Sequence, residues 1–151
     1  MKMAKTETSS WATDAERVLA ESGYRAGQAR RALLLQLDSQ TCARSALEIE
    51  DALRATGRPV ARASIYRILE ELERLHLVQK VQVGQDMARY EPVRTGDGHH
   101  HHLVCDNCGT VMPFTDEGLE SAIRKLSGRV PMQVAEHEIV LHGACEDCAT
   151  N

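Results

Sequence analysis

The chain has 151 residues, enough for one domain or two small ones, and 42% of them are hydrophobic, which is sufficient for a core. Aromatic residues make up only 3%, so aliphatic side chains must build that core. Residues 1–90 carry 14 basic and 12 acidic side chains, whereas residues 91–151 carry 4 and 10. The net charge of −4 excludes a general polyanion binder, so any DNA contact must come from a local patch.

The sequence contains no targeting or membrane signal. The first 14 residues are polar, and no apolar run approaches the roughly 20 residues that a membrane helix needs. These features predict a cytoplasmic protein with no membrane partner. In such a protein, paired cysteines hold a metal more often than they form disulfides, which remain the alternative.

Four amphipathic helices are predicted in the first half, after a loose tail over residues 1–11. Apolar residues recur at helical spacing over residues 12–21, 27–39, 45–57 and 61–76. Ser45 is a good N-cap for the third helix, and Glu48 three residues later predicts a capping box.

The fourth helix separates an apolar stripe from a polar and basic cluster in its first turns. That cluster consists of Arg62, Ser64, Tyr66 and Arg67. A positive, hydrogen-bonding N-terminal end suits a helix that enters a DNA major groove, although an ordinary solvated helix shows the same pattern.

A β-hairpin is predicted after the helices, from alternating segments at residues 77–83 and 87–91 joined by a turn at residues 84–86. Helices followed by a hairpin describe a winged helix-turn-helix. Lys80 or Arg89 of the wing would then touch the sugar–phosphate backbone.

The second half is predicted to be a small α+β domain. Residues 92–98 indicate a hinge between domains at residues 1–91 and 99–151. The elements predicted beyond it are strands at 99–105 and 110–114, a helix at 116–127, and strands at 130–134 and 138–141.

Two Cys-x-x-Cys pairs carry the strongest chemical signal. Cys105 and Cys108 form the first pair, and Cys145 and Cys148 follow after 36 intervening residues. Each pair presents two thiolates from one tight turn, and two such turns complete a tetrahedral zinc site. A closed four-cysteine site has no open position, so its predicted role is structural.

Four consecutive histidines, His99 to His102, precede the first cysteine pair. In a strand, alternate side chains point to opposite faces, so His99 and His101 face one way and His100 and His102 the other. One run can therefore serve two metal sites. Candidate partners are His137 and Glu120 for one site and Glu91 and Cys42 for the other, against the alternative that each is an ordinary surface or hydrogen-bonded residue.

Two patterns typical of zinc enzymes are missing. His-Glu-x-x-His would need a histidine four residues after His137, where Leu141 stands. Nucleobase deaminases have Pro before Cys-x-x-Cys, and neither pair here follows proline. We therefore predict no enzyme and no small-molecule substrate. Another alternative is a zinc-ribbon protein whose winged helix binds protein rather than DNA.

Several segments together resemble the ferric uptake regulator superfamily of metal-responsive bacterial repressors. The resemblance covers residues 12–148 in the expected order. Its carriers are SALEIEDAL (45–53), ASIYRILEEL (63–72), HHHHLVCDNCG (99–109), Glu120, His137 and GACEDC (143–148). It implies an N-terminal winged helix, a C-terminal α/β dimerisation domain, and a metal-loaded homodimer that binds a palindromic double-stranded operator.

The resemblance also implies roles for individual residues. By this resemblance, structural zinc is bound by Cys105, Cys108, Cys145 and Cys148. The sensing site consists of His99, His101, Glu120 and His137. A second, hinge-side site contains Glu91, His100 and His102. Tyr66 and Arg67 match the DNA-contacting pair, with Ser64 and Arg62 nearby, and Arg30 is the retained arginine of a helix 2 motif.

The chain departs from the family pattern at some of these positions. The usual fourth hinge-side ligand, a histidine two residues before Ser45, is Ala43 here, and Cys42 beside it is the candidate substitute. Three histidines and one carboxylate suit zinc but tolerate iron, cobalt, nickel or manganese. Histidine at position 101 and a thiol at position 42 favour the zinc-uptake-regulator branch over an iron sensor, with a peroxide sensor third.

Overall fold

The computed structural model describes residues 10–83, 87–94 and 99–150. The chain divides into two compact units, residues 1–94 and residues 95–151. Within the described ranges, no helix combines the length and the apolar character needed to cross a membrane.

Four helices form most of the first unit, as the sequence predicts. They are α1 (Trp11–Glu21), α2 (Gln28–Asp38), α3 (Ala46–Ala55) and α4 (Arg62–Arg74). The predicted capping box at the start of α3 is confirmed: the Glu48 N–H donates to the Ser45 hydroxyl at 3.1 Å, and the Ser45 N–H donates to the Glu48 carboxylate at 2.8 Å. The N-cap residue of α4, Ala61, has no such side chain.

Three of these helices end in the same type of turn, in which the chain enters the left-handed region. The residues there are Gly23 at φ 86°, Gly57 at φ 73° and His76 at φ 57°. After α4, the His76 N–H donates to the Glu73 carbonyl and the Leu77 N–H to the Leu72 carbonyl, which is a Schellman motif. The first two turns use glycine, whereas His76 carries a Cβ into a conformation that disfavours it.

A small antiparallel sheet completes the first unit, with strand order β1-β3-β2. Its strands are β1 (Arg44–Ser45), β2 (Val78–Val83) and β3 (Met87–Pro92). The hairpin prediction is confirmed by the β2–β3 register, while its predicted turn at residues 84–86 lies outside the described residues, as do most of the predicted tail and hinge. The two-residue β1 was not predicted, because it is too short to show an alternating pattern.

The core of the first unit is aliphatic, as the composition requires. Its fully buried side chains come from all four helices and the sheet and include Leu33, Leu37, Ile49, Leu53, Ile65, Ile68, Leu69 and Leu72. The helices and hairpin packed on this core form a winged helix-turn-helix, in which α3 and α4 are the helix pair and β2–β3 is the wing.

The second unit is a three-stranded sheet with two helices, so the predicted α+β class is confirmed. Its elements are β4 (His101–Cys105), β5 (Val111–Phe114), α5 (Glu117–Ser127), β6 (Val140–Gly143) and α6 (Glu146–Ala149). The central strand β4 pairs antiparallel with β5 and parallel with β6. The strand predicted at residues 130–134 is wrong, because this stretch pairs with no strand among the described residues and Met132 is 74% exposed.

The second unit has very little core of its own. Among its described residues the buried ones are His101, His102, Val104 and Cys105, all on β4, and α5 buries none. Apolar side chains instead remain at the surface: Met112, Leu126, Met132, Val134 and Leu141. Burial of apolar area is therefore too limited to order this unit unaided.

Candidate metal centres and DNA-binding face

The four predicted zinc ligands converge at one end of the second unit. Cys105 is the last residue of β4 and Cys108 lies in the turn after it, while Cys145 is the N-cap of α6 and Cys148 lies within that helix. All four lie within 4.8 Å of one another. The Cys108 and Cys145 sulfurs are 3.8 Å apart, which equals the edge of about 3.8 Å expected for a tetrahedron of thiolates around zinc. The geometry and the donor set both fit a closed zinc site.

The surroundings of the sulfurs also favour a bound cation. Backbone N–H groups of Cys145 and Cys108 lower the pKa of Cys105 to about 6, which makes this sulfur a thiolate at neutral pH. The hydroxyl of Thr110, 3.1 Å away, lowers the pKa of Cys108. Hydrogen bonding to the neighbouring sulfurs of Cys145 and Cys105 raises the pKa of Cys148 to about 12. Four thiolates this close repel one another, and a divalent cation removes that repulsion.

A second cluster joins the histidine strand to α5 and the segment before β6. Its members are His99, His101, Glu120 and His137, whose ligand atoms all lie within 4.8 Å of one another. Glu120 is the centre: one carboxylate oxygen lies 2.5 Å from His101 Nε2, and the other lies 3.0 Å from His137 Nε2. His99 and His137 bring their Nε2 atoms to 3.2 Å. This spacing is close to the edge of about 3.3 Å for nitrogens bound tetrahedrally to zinc.

Hydrogen bonds, burial and nearby charges favour the protonation states of Glu120 and His99 that bind metal. Hydrogen bonds from His101 and His137 lower the pKa of Glu120, so its carboxylate is charged. Burial, followed by the charges of His101 and His137, lowers the pKa of His99 below its ordinary value, which favours the neutral imidazole. Neutral imidazole and ionised carboxylate are the ligand forms that a divalent metal requires.

The four residues of the predicted hinge-side site are distributed over both units. In the first unit, Cys42 lies before β1 and the buried Glu91 lies on β3, with their ligand atoms within 4.8 Å. Gln79 of β2 donates a hydrogen bond to the Glu91 carboxylate. In the second unit, the rings of His100 and His102 have centroids 4.9 Å apart. Each unit thus holds a pair of metal-type ligands.

The predicted DNA-contacting side chains of α4 lie on its solvent face. Arg62, Tyr66 and Arg67 are exposed and Ser64 is half-buried, while the opposite face fills the core. Arg62 does not stand alone: its Nε donates to Glu50 of α3 at 2.7 Å. Lys80 is exposed on β2 of the wing.

Two other predicted DNA contacts are held inside the fold. Arg30 is 16% exposed and donates to Glu71 of α4 at 2.6 Å and to the Arg25 carbonyl, so it links α2 to α4. Arg89, with 12% exposure, donates to Glu48 at 2.7 Å and so ties the wing to the capping box of α3. We leave both out of the proposed DNA face, because phosphate contact would require these partly buried guanidinium groups to give up their partners.

Sequence reasoning missed two polar residues beside these sites. Glu50 is 9% exposed and accepts hydrogen bonds from Arg54 and Arg62. The spacing of four residues indicates the contact with Arg54, but no sequence signal indicates the contact with Arg62. Thr110 lies against the Cys108 sulfur, and its position two residues after that cysteine was the available signal. His142 Nδ1 lies 2.9 Å from Asp106 Oδ1, so this histidine is engaged in a hydrogen bond near the cysteine cluster.

A winged helix with a polar recognition-helix face, followed by an α/β unit with two compact clusters of metal-type ligands, defines a metal-responsive DNA-binding regulator. Residues 21–142 match the profile of the ferric uptake regulator family. The ferric uptake regulation protein of Bordetella parapertussis is 34% identical over 104 residues, which are 69% of this chain and 73% of that protein. The chain belongs to the ferric uptake regulator family.

Solved structures agree with this assignment. The Vibrio cholerae ferric uptake regulator gives a TM-score of 0.74 at 26% identity, over 86% of this chain and 98% of that one, and is described as showing a rearrangement of its DNA-binding domains. The Helicobacter pylori regulator, described as having three functional metal-binding sites, gives a TM-score of 0.77 at 22% identity, over 99% and 97% of the two chains, which shows the shared fold. The relatives found are named as regulators and not as enzymes.

Proposed function

We propose that this chain is a cytoplasmic zinc-responsive transcriptional repressor whose metal-loaded homodimer binds palindromic operators of metal uptake genes. The observation that carries the proposal is the cluster of three imidazoles and one carboxylate around Glu120, in a family of metal-responsive regulators. The four cysteines hold a structural zinc ion, and the histidine cluster holds a second, regulatory divalent ion.

The choice of zinc rests on the donor set. His101 is 1% exposed and directs its Nε2 at Glu120, so a third imidazole occupies a position where a carboxylate would suit a harder cation. Borderline cations such as zinc bind imidazole well. The relatives in Bordetella parapertussis and Bacillus subtilis are named ferric uptake regulation proteins, and this favours ferrous iron as the second candidate, with peroxide sensing through bound iron as a variant of it.

Operator binding is assigned to the exposed face of α4. Arg62, Tyr66 and Arg67 can reach base edges or phosphates once α4 enters the major groove, and Lys80 on the wing can meet the neighbouring backbone. The described basic side chains of this face form a local patch. Such a patch is what an overall acidic chain needs in order to contact DNA.

The homodimer is supported by the surface of the second unit. Leu126 is 55% exposed on α5, and Leu141 is 50% exposed on β6, although this unit has almost no core. A second copy of the chain would bury these side chains and add the apolar area that the single unit does not have.

The regulatory coupling is proposed to pass through residues 92–98, acting as a hinge between domains at residues 1–91 and 99–151. Glu91 and Cys42 from the first domain and His100 and His102 from the second are the candidate ligands of the hinge-side site. A bound divalent cation supplies positive charge that these ligands can share. Their convergence would hold the two recognition helices of the dimer at one helical-turn spacing, about 34–36 Å.

The deciding experiment is a metal-resolved DNA-binding titration. Protein whose four-cysteine zinc content is known would be mixed with operator DNA at buffered free concentrations of Zn²⁺, Fe²⁺, Mn²⁺ or Ni²⁺. Activation by zinc at far lower free concentration than the other ions supports the proposal. Activation by Fe²⁺ alone, with loss after peroxide treatment, would move the assignment to iron or peroxide sensing. Equal operator affinity with and without metal would refute metal-dependent repression, because such repression requires a coupling free energy between the two ligands, typically about 1–3 kcal/mol.

A further inference from the structure

We propose that Glu50 is a positioning residue for DNA recognition, which holds Arg62 through its Nε so that the two Nη groups are presented to a guanine of the operator. The inference rests on the proposed DNA-binding function of α4. It adds a specificity contact and the residue that orients it.

The first support is the geometry of the carboxylate. Glu50 lies on α3 and is 9% exposed, and one of its oxygens accepts from Arg62 Nε at 2.7 Å. Its other oxygen accepts from Arg54 Nη2 at 3.2 Å. A carboxylate with both oxygens engaged has little freedom to move. It therefore restricts the rotamers of Arg62 without covering that side chain, which stays 60% exposed.

The second support is where the guanidinium sits. Arg62 is the first residue of α4 and lies one turn before the exposed Tyr66, on the face proposed to meet DNA. N-terminal residues of a recognition helix are those that reach base edges. Within the described part of the chain, neither Nη group of Arg62 has a hydrogen-bond partner. The free end of the fork matches the O6 and N7 acceptors of guanine, the commonest specific contact of arginine.

The third support is charge, and it favours a base over a phosphate. Glu50 and Asp51 contribute −2 and Arg54 and Arg62 contribute +2, so this connected group of four is neutral. Affinity for the phosphate backbone depends on uncompensated positive charge, whereas hydrogen bonds to a base edge depend on orientation. A neutralised but oriented arginine therefore gives discrimination with little non-specific attraction. The Glu50 carboxylate also raises the pKa of Arg62, through its hydrogen bond and its charge, so the fork stays protonated.

The Glu50–Arg62 ion pair joins α3 to α4. A purely structural role is therefore the competing explanation. Arg62 and Glu50 would then only fix the angle between the two helices. A structural role predicts equal weakening at every base pair when the pair is broken. A positioning role predicts loss of preference at one position in each half-site.

The test is selection of binding sites from a random duplex library with the full-length protein in the presence of free Zn²⁺, repeated with Fe²⁺. Four proteins would be compared: the unchanged chain, Glu50→Gln, Arg62→Lys and Asp51→Asn. Asp51→Asn is the matched control, because it removes the same charge from the neighbouring position, where the carboxylate contacts Arg54 and not Arg62. Binding to a fixed non-specific duplex would be measured against salt concentration for each protein.

We expect the unchanged chain to select one guanine position per half-site whose preference falls about tenfold in Glu50→Gln and Arg62→Lys but stays in Asp51→Asn. Non-specific affinity should rise by similar factors in Glu50→Gln and Asp51→Asn, since each removes one negative charge from this face. Replacing that guanine with 7-deazaguanine should weaken binding by the unchanged chain more than binding by Arg62→Lys, because a single ammonium group does not reproduce the bidentate fork.

Unchanged base preferences in Glu50→Gln and Arg62→Lys would overturn the inference while leaving operator binding intact. Uniform weakening at all positions would overturn it in favour of the structural role. If Glu50→Gln lowers the melting temperature, Glu50→Asp gives a second reading, because it keeps the charge and shortens the reach. It should reduce the guanine preference without raising non-specific affinity. Selection of no sequence by the unchanged chain with either metal would overturn the proposed function and this inference together.

Discussion

Loss of one cysteine ligand should unfold the second unit and leave the first unit folded. In Cys145→Ser a hydroxyl replaces a thiol whose sulfur lies 3.8 Å from the Cys108 sulfur, and the proposed zinc site loses one of its four ligands. Structural zinc sites contribute an apparent 10–16 kcal/mol in small domains, to an order of magnitude. The described second unit buries only four side chains, all on β4, and ordering each residue costs about 1–2 kcal/mol. The remaining contacts within one chain cannot supply that free energy.

The size of the spectroscopic change follows from the helices. Among the described residues, α5 and α6 hold 15 of the 60 helical residues. Circular dichroism at 222 nm should therefore lose about a quarter of its helical signal, with zinc absent by elemental analysis. The chain has one tryptophan, Trp11, which packs against the core of the first unit. Its fluorescence should still report a cooperative urea transition.

Cys42→Ser is the matched control, because Cys42 lies in the first unit and outside the four-sulfur cluster. It should keep one tightly bound zinc ion per chain and the full helical signal. If Cys145→Ser retains both the zinc ion and the ellipticity, the reasoning about the second unit is refuted.

Three further predictions follow from other sites. His76→Gly should stabilise the first unit by about 0.5–1 kcal/mol, because glycine accepts the left-handed conformation at φ 57° without strain. Gly57→Ala, at φ 73° with no heavy atom within 4 Å of the added Cβ, should destabilise it through backbone strain alone. Urea denaturation that gives both variants the same sign would contradict this account. Glu120→Gln should weaken zinc binding at the histidine cluster by more than the roughly 10–100-fold that loss of an outer-sphere partner costs. Glu117→Gln, on the same helix but outside the cluster, should not, and calorimetry distinguishes the two. The third prediction concerns pH: burial lowers the pKa of His99 below its ordinary 6.5, so protons compete with metal for this imidazole only below that pH. Zinc affinity of the cluster should therefore fall only once the pH drops below about 6.5, and an affinity that does not fall on acidification would exclude His99 as a ligand.

Features with local signals could be predicted from the chain alone. Ser45 and Glu48 are three residues apart, so their reciprocal capping depends on one helical turn and on nothing distant. The same holds for each Cys-x-x-Cys pair, since two thiolates three residues apart share one turn. The strand at residues 130–134 was predicted wrongly because its alternating pattern says nothing about whether a neighbouring strand is available to pair with it.

Contacts between distant residues needed the tertiary structure. Glu50 and Arg62 are twelve residues apart on different helices, and only the packing of α3 on α4 brings the carboxylate to Nε. Arg30 has the sequence features of a surface cation. It nevertheless pairs with Glu71, which lies 41 residues further along the chain, and so links α2 to α4.

The sequence by itself determined the donor types and their spacing along the chain: two cysteine pairs, a histidine run with alternating faces, and a recognition helix with one polar face. The family resemblance implied that Glu120 and His137 join His99 and His101, and only the tertiary structure shows how these distant groups meet. Glu120, 19 residues beyond His101, centres the histidine cluster because α5 brings its carboxylate to 2.5 Å from the His101 ring on β4. The physical reason is range. Helix periodicity, capping and turn chemistry act over a few neighbouring residues, whereas metal clusters and ion pairs depend on how whole elements pack together.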